Sequence, residues 1–395
     1  MSSRLTGTLD PSLTLSSTAS EHPSAPGPLS ASEHAIAPQA TASASVPLER
    51  LGWNPFFEQQ RATLAEPLQP ARIAAGGGGT YHVLGEHGPR RATLSGRLLH
   101  HTDDPAELPT VGDWVGLRPD GEGLIVHRFD RRTCLLRKGA GRKVEAQVLA
   151  ANIDTVMIVT SLNGDFNARR LERYLAVVLD GGARPVFVLS KADLCDDPAP
   201  FLDAVRAVAP AAPTILVSAL LGEGLDALRE PLHDGETVAL VGSSGVGKST
   251  LVNGLLGAQI QRALPIRDSD ERGRHTTTGR ELFLLPGGGL LVDTPGIREL
   301  EPWRMTDDGP AGFGDIDTLA EACRFRDCTH AGEPGCAVAR AIDEGALAED
   351  RLQGFRKLEA EGRHLRERHD ARARAETKRY HKQLSRSLRH LPKKA

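Results

Sequence analysis

The chain has 395 residues, room for two to four domains at roughly 100–200 residues each. A quarter of the residues are charged and 39% are apolar, which suits globular domains with a polar segment added. The net charge of −3 hides an asymmetry: residues 351–395 hold 15 Lys and Arg against 5 Asp and Glu, which excludes a uniformly basic coat but not a basic C-terminal arm.

Residues 1–48 are dominated by Ser, Ala, Pro and Thr and show no helical or strand periodicity. Such a segment buries too little apolar surface to offset its ordering entropy, so a disordered tail is expected, with a partner-binding tail as the alternative. No basic region followed by an apolar core opens the chain, and no stretch reaches the ~18–20 apolar residues of a membrane span. The expectation is a cytoplasmic protein with no membrane partner. Ordered structure should begin with the aromatics Trp53, Phe56 and Phe57, ahead of a four-glycine run at Gly76–Gly79. From Tyr81 to about Val148, alternating stretches such as 92–98 and 111–117 are separated by turn clusters at 86–89 and 119–123. That spacing predicts a small all-β barrel within residues 49–150, with Trp114 in its core.

Near Ile153 the texture changes. Apolar runs at 156–160, 186–190, 214–218, 238–242 and 290–293 read as buried strands, and amphipathic stretches at 169–179, 201–208 and 247–256 read as helices between them. The alternation predicts a mostly parallel, doubly wound α/β domain over residues 151–301. Residues 302–395 are short-patterned, polar and mostly helical, and end in the basic arm.

Gly242, Ser243, Ser244, Gly245, Val246, Gly247, Lys248 and Ser249 fit G-x-x-x-x-G-K-S/T without a mismatch, after a strand and at the start of a helix. The glycines let backbone N–H groups turn inward around phosphates, and the helix N-terminus adds its dipole. Lys248 should reach the β- and γ-phosphates, the Ser249 hydroxyl should ligate Mg²⁺, and Thr250 continues the site. Asp293-Thr-Pro-Gly296 stands 44 residues after Ser249, at a strand end. Asp293 can hold Mg²⁺ through water, and the Gly296 N–H can meet the γ-phosphate. Between them lies a polar loop containing His275, Thr277 and Thr278, where a threonine could complete the Mg²⁺ shell. Alone, that loop is also readable as a Thr-rich turn.

Ser190-Lys191-Ala192-Asp193 and Ser218-Ala219 follow two successive strands. In GTPases an Asn/Thr/Ser-Lys-x-Asp element reads guanine: the carboxylate accepts from N1–H and the exocyclic amine, and the Lys stem packs on the base. Adenine lacks those donors and would leave the carboxylate unpaired. The order is unusual. Here the guanine element and Ser-Ala turn precede the phosphate loop, the threonine loop and D-x-x-G, which is a circular permutation of the ordinary GTPase order.

Cys323, Cys328, His330 and Cys336 offer three thiolates and an imidazole within 14 residues. The set suits one tetrahedral, closed, structural Zn²⁺, with a reducing compartment. Cys134 and Cys195 lack such company and read as core or incidental thiols.

With these motifs assembled, the chain resembles the ribosome small-subunit-dependent GTPase A family (RsgA/YjeQ). The carriers are the barrel, the permuted motif order, Gly-Arg-His275-Thr-Thr-Thr and Cys-x4-Cys-x-His-x5-Cys, over about residues 51–370. The resemblance implies an N-terminal OB-fold, a permuted GTPase and a zinc domain. It also implies a monomeric late assembly factor that binds the small ribosomal subunit and its rRNA and hydrolyses GTP to GDP when docked there. The family commonly has Asn at Ser190, so a weaker hold on guanine and on the phosphate loop is expected. Ile297 stands where Ras-like enzymes place a water-orienting Gln, and the resemblance offers His275 as the catalytic substitute. Two other readings stay open: a P-loop ATPase or small-molecule kinase, which GTP-against-ATP competition would reveal, and a non-hydrolysing nucleotide-gated RNA-binding adaptor.

Overall fold

The structure, a computed structural model, describes residues 46–77, 79–100, 104–119, 123–138, 146–256, 280–293 and 310–363. The expected tail therefore lies outside the described residues up to position 45, and so does the basic arm beyond position 363.

Order begins with a 3-10 turn at Leu48–Leu51 and helix α1 (Pro55–Ala62). Asn54 caps α1, its side chain accepting from the Phe56 N–H, and Pro55 sits at the first helical position where its missing donor costs nothing. Five strands then make a closed barrel: β1 (Gln69–Gly77), β2 (Thr80–Gly85), β3 (Gly88–Leu94), β4 (Trp114–Leu117) and β5 (Leu124–Arg128). They run in the order β1-β2-β3-β5-β4, and a β1–β4 pairing closes the ring. Ala71, Ile73, Tyr81, Val83, Ala92, Val115, Leu117 and Ile125 fill it.

The barrel starts earlier than the sequence suggests. β1 precedes and includes the first glycines of the run instead of following it, and residues 71–75 are buried on both faces. Ala71 and Ile73 face the barrel core, whereas Ala74 joins a second cluster with Trp53, Phe57, Trp114 and Phe129. A strand buried on both sides shows no alternation to read. The stretch 92–98 also divides: β3 ends at Leu94 and a short helix, α2 (Gly96–His100), follows.

Arg72 sits at this junction, almost wholly buried. Its guanidinium donates to the carbonyls of Leu51 at 2.5 Å, Asn152 at 2.9 Å and Gly112 at 3.2 Å. Burial pushes its pKa down to about 9, still high enough to keep it charged at neutral pH. Three carbonyls from three segments thus replace water around one cation.

A hairpin, β6 (Cys134–Lys138) and β7 (Ala146–Ala151), leads to the central sheet. Its strands are β8 (Thr155–Ser161), β9 (Arg184–Ser190), β10 (Thr214–Val217), β11 (Thr237–Val241), β12 (Glu281–Leu284) and β13 (Leu290–Asp293), in the order β10-β9-β8-β11-β13-β12. All pairs are parallel except β12 with β13. Helices α3 (Ala168–Asp180) and α4 (Ala199–Val208) cover one face, packing on Val156, Ile158, Phe187 and Leu189. Helices α5 (Leu225–Arg229) and α6 (Lys248–Leu256) cover the other, packing on Met157, Val159, Val186, Val188 and Leu240. The period-two division of each strand between two cores is what a doubly wound sheet requires. β12 pairs onward with β1 at Ala75 and Glu281, which joins barrel and central sheet into eleven strands.

Helices α7 (Gly314–Ala320), α8 (Ala337–Asp343) and α9 (349–363) close the described chain around Phe313, Ile316, Val338 and Leu352. Arg351 fixes this module to α3. It bonds Glu172 at 3.1 Å and both oxygens of Asp315 at 3.0 Å, and lies 4.1 Å over the Phe313 ring.

Candidate functional site

The chain runs outward from β8 to β9 and β10, then returns to the far side of β8 at β11. This reversal opens a crevice at the carboxyl ends of β8 and β11, where open α/β sheets take their ligands. The loop of residues 242–247 occupies it, between β11 and α6. Gly242, at φ +146°, lies against β8: a Cβ there would stand 2.2 Å from the Val159 carbonyl oxygen, so only glycine fits. Gly245 and Gly247 also take positive φ, which turns successive N–H groups to one side. Val246 points into the core, while Ser243 and Lys248 are half-buried and Ser244, Ser249 and Thr250 are exposed. The Lys248 ammonium donates to the carbonyls of Gly242, at 2.7 Å, and Ser243.

Ser190 ends β9 beneath this loop. Its hydroxyl reaches two carbonyl oxygens, Val246 at 2.6 Å and Thr160 at 3.1 Å. The short side chain lies close enough to bond the loop itself. Lys191 then turns through a left-handed φ of +60°, and a 3-10 turn (Ala192–Leu194) exposes Asp193. The Ser218 hydroxyl donates to Asp193 Oδ1 at 2.6 Å and accepts from the Leu221 N–H at 3.2 Å, which ties the two loops together beside half-buried Ala219.

Asp293 ends β13, two strands from β8 and next to β11. Burial pushes its carboxyl pKa up and the Lys248 charge pulls it down. Asp293 thus ends the strand beside the one that leads into the phosphate loop. Gly296, His275, Thr277, Thr278 and Ile297 lie outside the described residues.

The second constellation lies in the helical module. The Cys323, Cys328, His330 and Cys336 donor atoms all fall within 4.8 Å of one another. Cys323 Sγ is 3.9 Å from Cys336 Sγ, and His330 Nδ1 is 3.6 Å and 3.5 Å from those two sulfurs. A tetrahedral zinc with bonds of about 2.3 Å to sulfur and 2.05 Å to nitrogen has S–S edges of about 3.8 Å and S–N edges of about 3.6 Å. Cys323, His330 and Cys336 match that frame, and Cys328 Sγ stands within 4.8 Å of each of them. Burial pushes the Cys323 thiol up, but the Ala337 and Val338 amides and the neighbouring sulfurs more than reverse it. Burial and the other two sulfurs push Cys328 up to about 11. Three clustered thiols resist joint ionisation unless a cation is shared among them, so the cluster can hold a metal ion such as zinc.

Three further contributors escaped the sequence reading: Arg351, which ties the module to α3, Arg356, which donates to the His330 carbonyl, and Glu333, which accepts from the amides on either side of His330.

A family described as RsgA GTPase matches residues 128–303. A relative from Opitutus terrae, named small ribosomal subunit biogenesis GTPase RsgA, is 46% identical over 85% of this chain and 95% of its own length. The crystal structure of YjeQ from Thermotoga maritima is 25% identical, with a TM-score of 0.57 over 74% of this chain and 98% of that one. YloQ, described as a circularly permuted GTPase, shares the fold at a TM-score of 0.53, covering 75% of this chain and 95% of its own. With a relative 46% identical over nearly its whole length and a matching fold, the chain belongs to the RsgA GTPase family and is a GTP hydrolase.

Proposed function

We propose that the chain is a ribosome-biogenesis GTPase that docks on the small ribosomal subunit and its rRNA late in maturation and hydrolyses GTP to GDP and phosphate there. The name and extent of the 46% identical relative support the partner. The observation that carries the chemistry is the convergence at the carboxyl ends of β9, β11 and β13 of the Ser190–Asp193 turn, the phosphate loop and Asp293, with Ser190 bonded directly to the loop.

In this reading the backbone N–H groups of residues 242–250 cradle the phosphates, and Lys248 swings from its loop carbonyls to the β- and γ-phosphates. Bound Mg²⁺ supplies charge neutralisation at those oxygens. Ser249 would ligate it directly and Asp293 through water, while Thr277, Thr278 and the Gly296 N–H would meet the γ-phosphate. Asp193 accepts from guanine, with Lys191 along the base and the Ser218-Ala219 turn at O6. His275 orients the attacking water as a neutral imidazole. Cys323, Cys328, His330 and Cys336 hold one structural zinc.

The deciding experiment is GTP turnover by the purified chain alone, with small subunits, and with large subunits as control. Stimulation by small subunits only is the expected result. Equal turnover in all three would remove the proposed partner.

A further inference from the structure

The turn between Cys328 and Cys336 is organised by one carboxylate. Glu333 Oε1 accepts from the Thr329 N–H at 2.8 Å and from the Thr329 hydroxyl, and Oε2 accepts from the Ala331 N–H at 2.7 Å. Those two amides flank His330. Between them His330 takes φ +58°, a left-handed conformation that a non-glycine residue adopts only when its surroundings hold it there. In that conformation Nδ1 lies 3.5 Å and 3.6 Å from the sulfurs of Cys336 and Cys323. The Glu333 carbonyl also accepts from the Cys336 N–H at 3.1 Å, which sets the approach of the last ligand. From α9, Arg356 donates to the His330 carbonyl.

We propose that Glu333 is the positioning residue of the metal centre: by gripping the amides on both sides of His330 it holds the left-handed turn and presents Nδ1 as the fourth donor. The inference rests on the metal-site reading above. A carboxylate suits the task because it only accepts, and three donors converge on its two oxygens. A glutamine could keep the Thr329 contacts, but its amide donors would then face the Ala331 N–H. Glu333 is not itself a ligand. Without it His330 would relax toward ordinary backbone, leaving three thiolates and a position open to water.

The test is Co²⁺ titration of the metal-free full chain, followed by Zn²⁺ competition against a chromogenic chelator. Wild type should show the visible bands of a tetrahedral three-sulfur, one-nitrogen site. Glu333→Ala should lower metal affinity about 10–100-fold, the usual effect of losing a group that orients a ligand, and shift those bands as nitrogen is replaced by water. Glu333→Gln should fall between the two. Thr329→Val, which deletes only the hydroxyl donor, should weaken binding several-fold with unchanged circular dichroism, and it decides together with Glu333→Gln if the alanine variant does not fold. Wild-type affinity and spectrum in the folded variants would overturn the positioning role while leaving the metal site standing. A wild-type chain that takes up neither metal would overturn both.

Discussion

Replacing Ser190 with alanine deletes one oxygen from a site that is 2% exposed. The hydroxyl has a single proton, and the 2.6 Å contact to the Val246 carbonyl marks the main acceptor. Alanine leaves that carbonyl without this donor, in a loop whose Val246 side chain is itself 1% exposed, so water cannot easily replace it. An orphaned buried acceptor costs about 1–3 kcal/mol. If the loop must hold this conformation to bind phosphates, the cost appears as a loss of nucleotide affinity of roughly 5- to 150-fold. The loss should be the same for GTP and GDP, since Ser190 holds the loop from beneath, through the Val246 carbonyl, and supports the cradle as a whole. Preference for GDP over ADP should be unchanged, because Asp193 and its Ser218 bond are untouched. Stopped-flow binding of fluorescent GTP and GDP analogues, with ADP as competitor, reads all three. Affinities within twofold of wild type would show that Ser190 does not support the loop. A collapse of guanine preference alone would make it a reader of the base.

Arg72→Met strands three carbonyls at the junction of barrel, N-terminal extension and central sheet, and should cost about 3 kcal/mol or more in chemical denaturation. Wild-type stability would show that water reaches them. Asp193→Asn should move preference from guanine toward xanthine nucleotides, whose extra carbonyl can accept from the amide; retained selection for GTP over XTP by the wild-type margin would count against Asp193 as the base reader. Strong chelation or Cys328→Ser should release one zinc per chain, measured by elemental analysis, and disorder the helical module. GTP binding should persist, because Phe313, Ile316 and Val338 form a core separate from the one beneath the phosphate loop. Simultaneous loss of GTP binding would show the two cores to be one cooperative unit.

The sequence displayed its chemistry more clearly than its junctions. The phosphate loop and the Cys/His spacing are local patterns, and the buried strands of the central sheet announce themselves as apolar runs. What was hidden depends on distant partners. β1 is packed on both faces and rich in alanine, so neither alternation nor bulk marks it. β12 is short and antiparallel, and its tie to Ala75 joins residues far apart in the chain. The hold of Ser190 on the phosphate loop lies in its distance to Val246, and no single-sequence pattern contains that distance. Glu333 was concealed for the same reason: its carboxylate bonds backbone amides, which every residue carries.

The permuted strand order also sets a timetable for synthesis. β8 meets β9 within about thirty residues, but its other edge waits for β11, some eighty residues later. At about 5–20 residues per second, that edge stays open for roughly 4–16 s while the ribosome works. The β1 contact at Ala75 waits for Glu281, roughly 10–40 s at the same rate. An apolar strand with unpaired backbone is a template for a neighbouring nascent chain. An unpermuted order would deliver β11 before β8 and close that edge as soon as β8 emerged. Here the apolar edge of β8 stays open until residues 237–241 appear, so the rearrangement that places β11 after β8 in the chain is answered by a longer exposure during birth.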